Sequence, residues 1–257
     1  MITRALLLAA GRGARLAPLT DDRPKCLVPL LGRPLLEYQI AALRLAGVTD
    51  IAIVGGYRDE RLEPYVATRF INTRWDQGNM VVSLACAAEW LAAGDSLVCY
   101  TDIVYAAAAV GRLARSPGDI AITYDPNWLQ LWSARFSEPL HDAESFAIDT
   151  DGRLTAIGRK NAALHDIRGQ YMGLVKLTRA GWRTIADYLR TLAPETVDRL
   201  DVTALLARLL GDGIRVDTVP APWPWAEVDN AADLALYEQD LRFAELREML
   251  DRLANDH

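Results

Sequence analysis

The chain has 257 residues, 51% of them hydrophobic, and a formal net charge of −6. That length suits one α/β domain, or a domain with a modest insertion, and the composition supplies a sizeable core. Acidic and basic residues are mixed along the chain with no long basic stretch, which argues against a nucleic-acid footprint. No segment reaches the length of a membrane span, and the apolar run after Arg4 is too short for a signal peptide. Cys26, Cys86 and Cys99 are scattered without CxxC spacing. They read as reduced thiols of a cytoplasmic protein, not as a disulfide frame or a zinc site.

The first predicted strand, 5–9, runs through Leu8, Ala9 and Ala10 into Gly11-Arg12-Gly13, with Arg15 and then Lys25 downstream. Glycines let backbone N–H groups approach an anion closely. Arg and Lys supply charge where phosphates sit. A strand, a bare loop and two placed cations together describe a triphosphate cradle. The loop is not a Walker A loop, because G-x-x-x-x-G-K-[ST] is missing. A dinucleotide fingerprint would need a third glycine where Leu16 stands.

Further along, Leu36, Ile40 and Leu43 recur at helical spacing within 35–45, and Gly47 marks the stop. Strands are expected at 51–54, 97–100, 120–124, 171–177 and 216–219, and helices at 80–91 and 178–192. This alternation predicts a Rossmann-like α/β fold, with a mostly parallel central sheet and helices on both faces. Ligands of such sheets bind beyond the C-terminal ends of the strands. Gly11, Gly56 and Asp102 each follow a predicted strand and so line one crevice. Residues 125–169 break the rhythm with Trp, Pro and charge and a turn at Asp151-Gly152. Within a single domain over 1–257 this stretch is an inserted acceptor-binding wall or lid, or else a structural excursion over the sheet. The apolar stripe of 233–253 makes a packing helix or a homodimer contact.

Two carboxylates stand out. Asp102 ends the predicted strand in Cys99-Tyr100-Thr101-Asp102, and Asp229 closes Trp225-Ala226-Glu227-Val228-Asp229. Mg²⁺ commonly takes one or two carboxylates plus substrate phosphates, so the two aspartates can meet over an α-phosphate. Asp229 can otherwise be an N-cap of the last helical stretch. The chemistry inferred is attack by a phosphate-type oxygen on the α-phosphorus of a nucleoside triphosphate, with release of pyrophosphate. A substrate phosphate has a second pKa of about 6, so it needs no general base. This fits a chain whose three histidines, His141, His165 and His257, show no triad arrangement. Catalysis is then positioning plus charge neutralisation by Mg²⁺, Arg15 and Lys25.

GxGxR followed by PK resembles the nucleotidyltransferases that activate small phosphorylated compounds with a nucleoside triphosphate. Asn79 with Ser83-Leu84 is similar to the phosphocholine cytidylyltransferase group, although Gly78-Asn79-Met80 replaces a pair of asparagines. Tyr100 to Val104, Trp128 with Trp132 and Arg135, Pro139 to Glu144, Gly169 to Leu174 and Trp225 to Asp229 look like a branch acting on phosphonates or phosphoglutamine. The resemblance spans nearly the whole chain. It implies the nucleotidyltransferase fold, CTP as donor and Mg²⁺ on Asp102 and Asp229. It further implies triphosphate contacts from Gly11, Arg12, Gly13, Arg15 and Lys25, beside the strand end Leu8, Ala9 and Ala10. Asn79 and Ser83 would lie near the cytidine.

For the acceptor, Trp128, Trp132, Tyr171, Trp223 and Trp225 offer an aromatic wall, over which an ammonium gains roughly 0.5–2 kcal/mol. Asp142 and Glu144 add carboxylates, and Lys160 or Arg135 a cation for the acceptor phosphate. Phosphocholine, aminoethylphosphonate and phosphoglutamine all satisfy this pattern; a hydroxyalkylphosphonate leaves the acids another role. The plainer reading makes each tryptophan a core residue and Arg159-Lys160 a solvated pair. A sugar-1-phosphate nucleotidyltransferase is the near competitor. A non-catalytic nucleotide-binding regulatory subunit is the competitor from another class, against which Arg15, Lys25, Asp102 and Asp229 in one chain speak.

Overall fold

A central strand, β1 (Arg4–Leu8), alternates its side chains between two cores. Ala5 and Leu7 enter one, Leu6 and Leu8 the other, as the two-residue period of a strand requires. The computed structural model describes residues 2–221 and 223–255; His257 lies outside them. The other strands of this sheet are β2 (Asp50–Gly55), β3 (Thr68–Ile71), β4 (Ser96–Tyr100), β5 (Ile120–Asp125), β6 (Gln170–Leu177) and β7 (Asp217–Pro220). Their spatial order is β7-β5-β6-β4-β1-β2-β3. All run parallel except β6, which is antiparallel to β4 and β5. The fold is mixed α/β with a mostly parallel sheet.

The helices Leu35–Leu45, Ala107–Ala114 and Ala244–Asn255 cover one face, burying Leu36, Leu43, Leu113 and Leu250. Met80–Cys86, Arg179–Thr191 and Val202–Gly211 cover the other with Leu84, Trp182 and Leu205. All six predicted strands form. β3 was not foreseen: it is a four-residue edge strand that ends in an exposed Ile71, too short and too half-buried to show alternation. The helix expected at 80–91 breaks at Ala87, whose φ of −104° interrupts a ladder that the apolar spacing runs straight across. The stripe of 233–253 likewise divides into Ala231–Gln239 and Ala244–Asn255 around a turn where Asp240 accepts from the Arg242 N–H at 2.8 Å.

The segment 125–169 has structure of its own. The helix Trp128–Arg135 leads to a single turn, Pro139–Asp142, and then to a hairpin of Phe146–Ile148 with Leu154–Ile157. Beside it, β6 loses register with β5 between Tyr171 and Val175. Gly173 makes this irregularity possible: its φ is +85°, and a Cβ there would sit 2.8 Å from the Tyr100 ring. Among the described residues, no helix is long and apolar enough to cross a membrane.

Candidate active site

The ends of β1 and β4 are tied together where Thr101 Oγ1 donates to the Leu8 carbonyl at 2.7 Å. Beyond Asp102 the chain forms a short strand, Ile103–Tyr105, antiparallel to Trp225–Glu227 with Ile103 opposite Glu227. The Val228 N–H donates to the Asp102 carbonyl at 2.8 Å. This small ladder sets Asp102 and Asp229 side by side at the C-terminal edge of the sheet.

A buried lysine joins them. Gly13 holds φ at +72°, and a Cβ there would stand 2.8 Å from the Lys25 Cβ, so the glycine loop packs directly on the lysine stem. Lys25 Nζ reaches Asp102 Oδ2 and Asp229 Oδ1, each at 2.8 Å. Arg15 Nη2 also reaches Asp229 Oδ1 at 2.8 Å. Burial disfavours the ammonium, but the two carboxylates override it and raise the Lys25 pKa. Burial works against the Asp229 charge too, yet Lys25, Arg15 and Arg135 hold that carboxyl below its ordinary range.

A third carboxylate belongs here, although the sequence pattern assigns it no role. Oxygens of Asp102, Glu227 and Asp229 lie within 4.8 Å of one another. Burial, and then the Asp229 charge, push the Glu227 carboxyl up to about 7 against the pull of Arg135. The signal was in the spacing: Glu227 and Asp229 are two residues apart at the end of a strand, which places them on one face. Asp102 Oδ1 is buried and makes no hydrogen bond among the described residues. The N-cap role open to Asp229 belongs instead to Asn230, which forms a capping box with Asp233.

Arg135 lies beneath these acids, not in reach of an acceptor phosphate. Its side chain is wholly buried. Nη1 meets Glu227 Oε2 at 2.8 Å, Nη2 meets Asp229 Oδ2 at 3.2 Å, and Nε meets Asp233 Oδ1 at 3.0 Å. Asp233 in turn accepts from the Asp229 N–H at 2.8 Å. Removing the guanidinium strands three carboxylates, so Arg135→Met is expected to destabilise the fold by about 3–5 kcal/mol. Urea denaturation checks this; a loss within about 0.5 kcal/mol of wild type would mean that the ion cluster is not structural.

Two cavities flank the cluster. One, of about 250 Å³, is lined by Leu8, Ala10, Gly11, Lys25, Asn79, Ser83 and Asp102, together with Trp75, Gly78, Met80 and Thr101. Gly13 touches it through Lys25. Three other residues of the expected nucleotide set stand behind or outside its wall. Ala9 is buried, its N–H on the Val54 carbonyl at 2.9 Å. Gly56 is a spacer, where a Cβ would come within 2.6 Å of the Trp75 Cβ and 2.8 Å of the Ala10 carbonyl. Arg12 turns outward to pair with Asp21 at 3.1 Å over the Tyr57 ring.

The second cavity, of about 290 Å³, is lined by Trp132, Asp142, Glu144, Lys160 and Tyr171, with Arg15, Trp225, Glu227 and Asp229 among the rest. Trp132 donates its indole N–H to Asp142 Oδ2 at 3.0 Å. Lys160 Nζ pairs with Glu144 Oε1 at 3.0 Å. Trp128 is not part of this wall: it packs edge-on behind Trp132 and donates to the Ile167 carbonyl at 3.3 Å. Trp223 packs on Phe243. Lys25 and Asp102 thus face the first cavity, Arg15 and Asp229 the second, and the Lys25 ammonium joins the two.

Residues 5–163 match the MobA-like NTP transferase domain. A CTP:phosphoglutamine cytidylyltransferase from Campylobacter jejuni subsp. jejuni serotype O:2 is 33% identical over 246 residues, covering 90% of this chain and 97% of that protein. A 2-aminoethylphosphonate cytidylyltransferase from Lancefieldella rimae is 38% identical over 107 residues, 40% of this chain and 44% of the relative. The structure of the inositol-1-phosphate CTP transferase from T. maritima superposes with a TM-score of 0.78 at 19% identity, covering 99% of this chain and 97% of that one, which shows a shared fold.

Proposed function

Because the chain belongs to the MobA-like NTP transferase domain family and is a nucleotidyltransferase, we propose that it transfers CMP from CTP to a small phosphate or phosphonate and releases pyrophosphate. The observation that carries this reading is the Lys25 ammonium held between Asp102 and Asp229. It stands where a nucleotide cavity and an acceptor cavity meet. The names of the full-length and partial relatives, both cytidylyltransferases, support the choice of CTP.

In this reading the triphosphate enters over Gly11, with Lys25 neutralising charge as it develops on the α-phosphate. Arg15 reaches across from the acceptor side and orients the incoming phosphate oxygen in line. An acceptor phosphate is already ionised, so no proton has to be removed. The rate gain comes from alignment and charge compensation.

Mg²⁺ fits the acidic cluster. Asp102, Glu227 and Asp229 form an all-oxygen donor set of the kind this ion takes. Asp102 Oδ1 is a buried acceptor without a partner among the described residues, and Lys25 already holds a cation's place between two of the acids. Once bound, the ion supplies charge neutralisation at the α-phosphate.

The acceptor cavity suits a ligand with a phosphate end and an amine end. Arg15 serves the phosphate, while Trp132, Tyr171 and Glu144 offer aromatic faces and a carboxylate to an ammonium. The test is an acceptor panel with CTP, Mg²⁺ and a pyrophosphate readout. Turnover is expected with amine-bearing phosphates or phosphonates and little with glucose-1-phosphate. The reverse pattern, or product with UTP or GTP in preference to CTP, would sink the reading. Tight CTP binding without pyrophosphate release from any acceptor would favour a regulatory subunit instead.

A further inference from the structure

We propose that Asn72 sets the base preference of the nucleotide cavity by fixing the direction of the Ser83 hydroxyl, so that Ser83 donates to a base carrying an unprotonated ring nitrogen. This rests on the reading of that cavity as the CTP site.

The cavity's ionised lining residues are Lys25 and Asp102. Its lining by Trp75, Gly78, Asn79, Met80 and Ser83 carries no ionised side chain and suits a nucleobase. Asn79 has its amide in use there: Oδ1 accepts from the Met80 N–H at 2.8 Å and Nδ2 donates to the Arg199 carbonyl at 3.3 Å. Ser83 is buried to 6% exposure and Asn72 behind it to 2%.

The orientation of Asn72 follows from its partners. The Arg74 backbone N–H, which can only donate, lies 2.9 Å from Asn72 Oδ1. The amide nitrogen therefore points the other way, and Nδ2 donates to Ser83 Oγ at 3.0 Å. A hydroxyl that accepts on one side keeps its hydrogen for another partner. Among the described residues Ser83 Oγ makes no other hydrogen bond. With the Asn72 side taken by an incoming N–H, that hydrogen is available to a partner in the cavity, and in this proposal it donates to the base. Cytosine presents an acceptor at N3, whereas uracil carries a hydrogen there, so a donor at that position favours the first base and leaves the second facing donor to donor. Asn72 touches no substrate in this scheme and acts through Ser83 as a positioning residue.

The discriminating variant is Asn72→Asp. A carboxylate accepts from both the Arg74 N–H and the Ser83 hydroxyl, turning the Ser83 lone pairs toward the base. CTP and UTP affinities would be measured by calorimetry, and kcat/KM for both, in wild type, Asn72→Asp, Asn72→Leu and Ser83→Ala. Thermal melting would establish that each variant is folded. The CTP-over-UTP ratio is expected to fall by about tenfold or more in Asn72→Asp, the loss of one well-placed hydrogen bond. Smaller falls are expected in Ser83→Ala, which lacks the donor, and in Asn72→Leu, which frees the hydroxyl to rotate. An unchanged ratio in folded Ser83→Ala, or in folded Asn72→Asp, overturns the proposal. If Asn72→Asp does not fold, an unchanged ratio in Asn72→Leu does the same. A wild-type enzyme without preference for CTP over UTP overturns instead the CTP reading on which this one stands.

Discussion

Replacing Lys25 by Ala is expected to lower kcat by roughly 100- to 1,000-fold, the scale on which one preorganised charge at a reacting centre acts. The expectation follows from where the ammonium is held. Lys25 is ion-paired at 2.8 Å to each of two aspartates that face different cavities. Its stem is pressed against Gly13, so the charge is held beside the glycine loop before any substrate arrives. The loss should fall mainly on kcat, because CTP would keep the backbone of the glycine loop, whereas the α-phosphate would lose its nearest cation. Lys25→Arg should recover only part of the activity, since a planar guanidinium cannot replace a compact ammonium wedged between two carboxylates. The check is steady-state kinetics on both substrates with thermal melting as a control. Near-normal kcat in folded Lys25→Ala would remove Lys25 from the chemistry.

Asp229→Asn is expected to be as damaging to turnover, again by about two to three orders of magnitude, with a much smaller effect on folding. Three cations converge on this carboxylate: Lys25 and Arg15 on Oδ1, and Arg135 on Oδ2. The amide keeps the shape and the Asp233 bond to the backbone N–H, and Arg135 keeps Glu227 and Asp233. The negative charge is what disappears. A neutral side chain holds Lys25 less firmly and offers a divalent cation a poorer ligand, so the half-saturating Mg²⁺ concentration should rise in parallel. Magnesium titration of activity, together with the metal-dependent shift in melting temperature, measures this. A full loss of activity with an unchanged Mg²⁺ requirement would leave Asp229 as a partner of Lys25 and take it out of metal binding. Unchanged turnover would remove it from both roles.

Much of this architecture is legible from local pattern. Apolar runs of strand length, helical spacing in 35–45 and a glycine loop behind the first strand are properties of neighbouring residues, and a local backbone preference expresses them directly. That is why β1, β2, β4, β5 and β7 stand where the sequence places them and why Asp102 emerges at a strand end. The direction of β6 was not legible in the same way. Its residues are those of a buried strand whichever way it runs; only its neighbours decide that it lies antiparallel between β4 and β5.

What the sequence alone determined, then, is the glycine loop, the alternation and the identity of the charged groups, because each is written within a few residues. Tertiary structure decided which charges meet. It withdrew Arg135 from the acceptor side into a wholly buried cluster. It set Trp132 in the cavity wall and Trp128 behind it. It brought Glu227 and the two aspartates together through a two-strand ladder between segments distant in the sequence, and it set the Asn72 amide nitrogen on the Ser83 hydroxyl. Ion pairs and hydrogen-bond direction depend on distances across the fold, and these exist only once the chain has closed on itself.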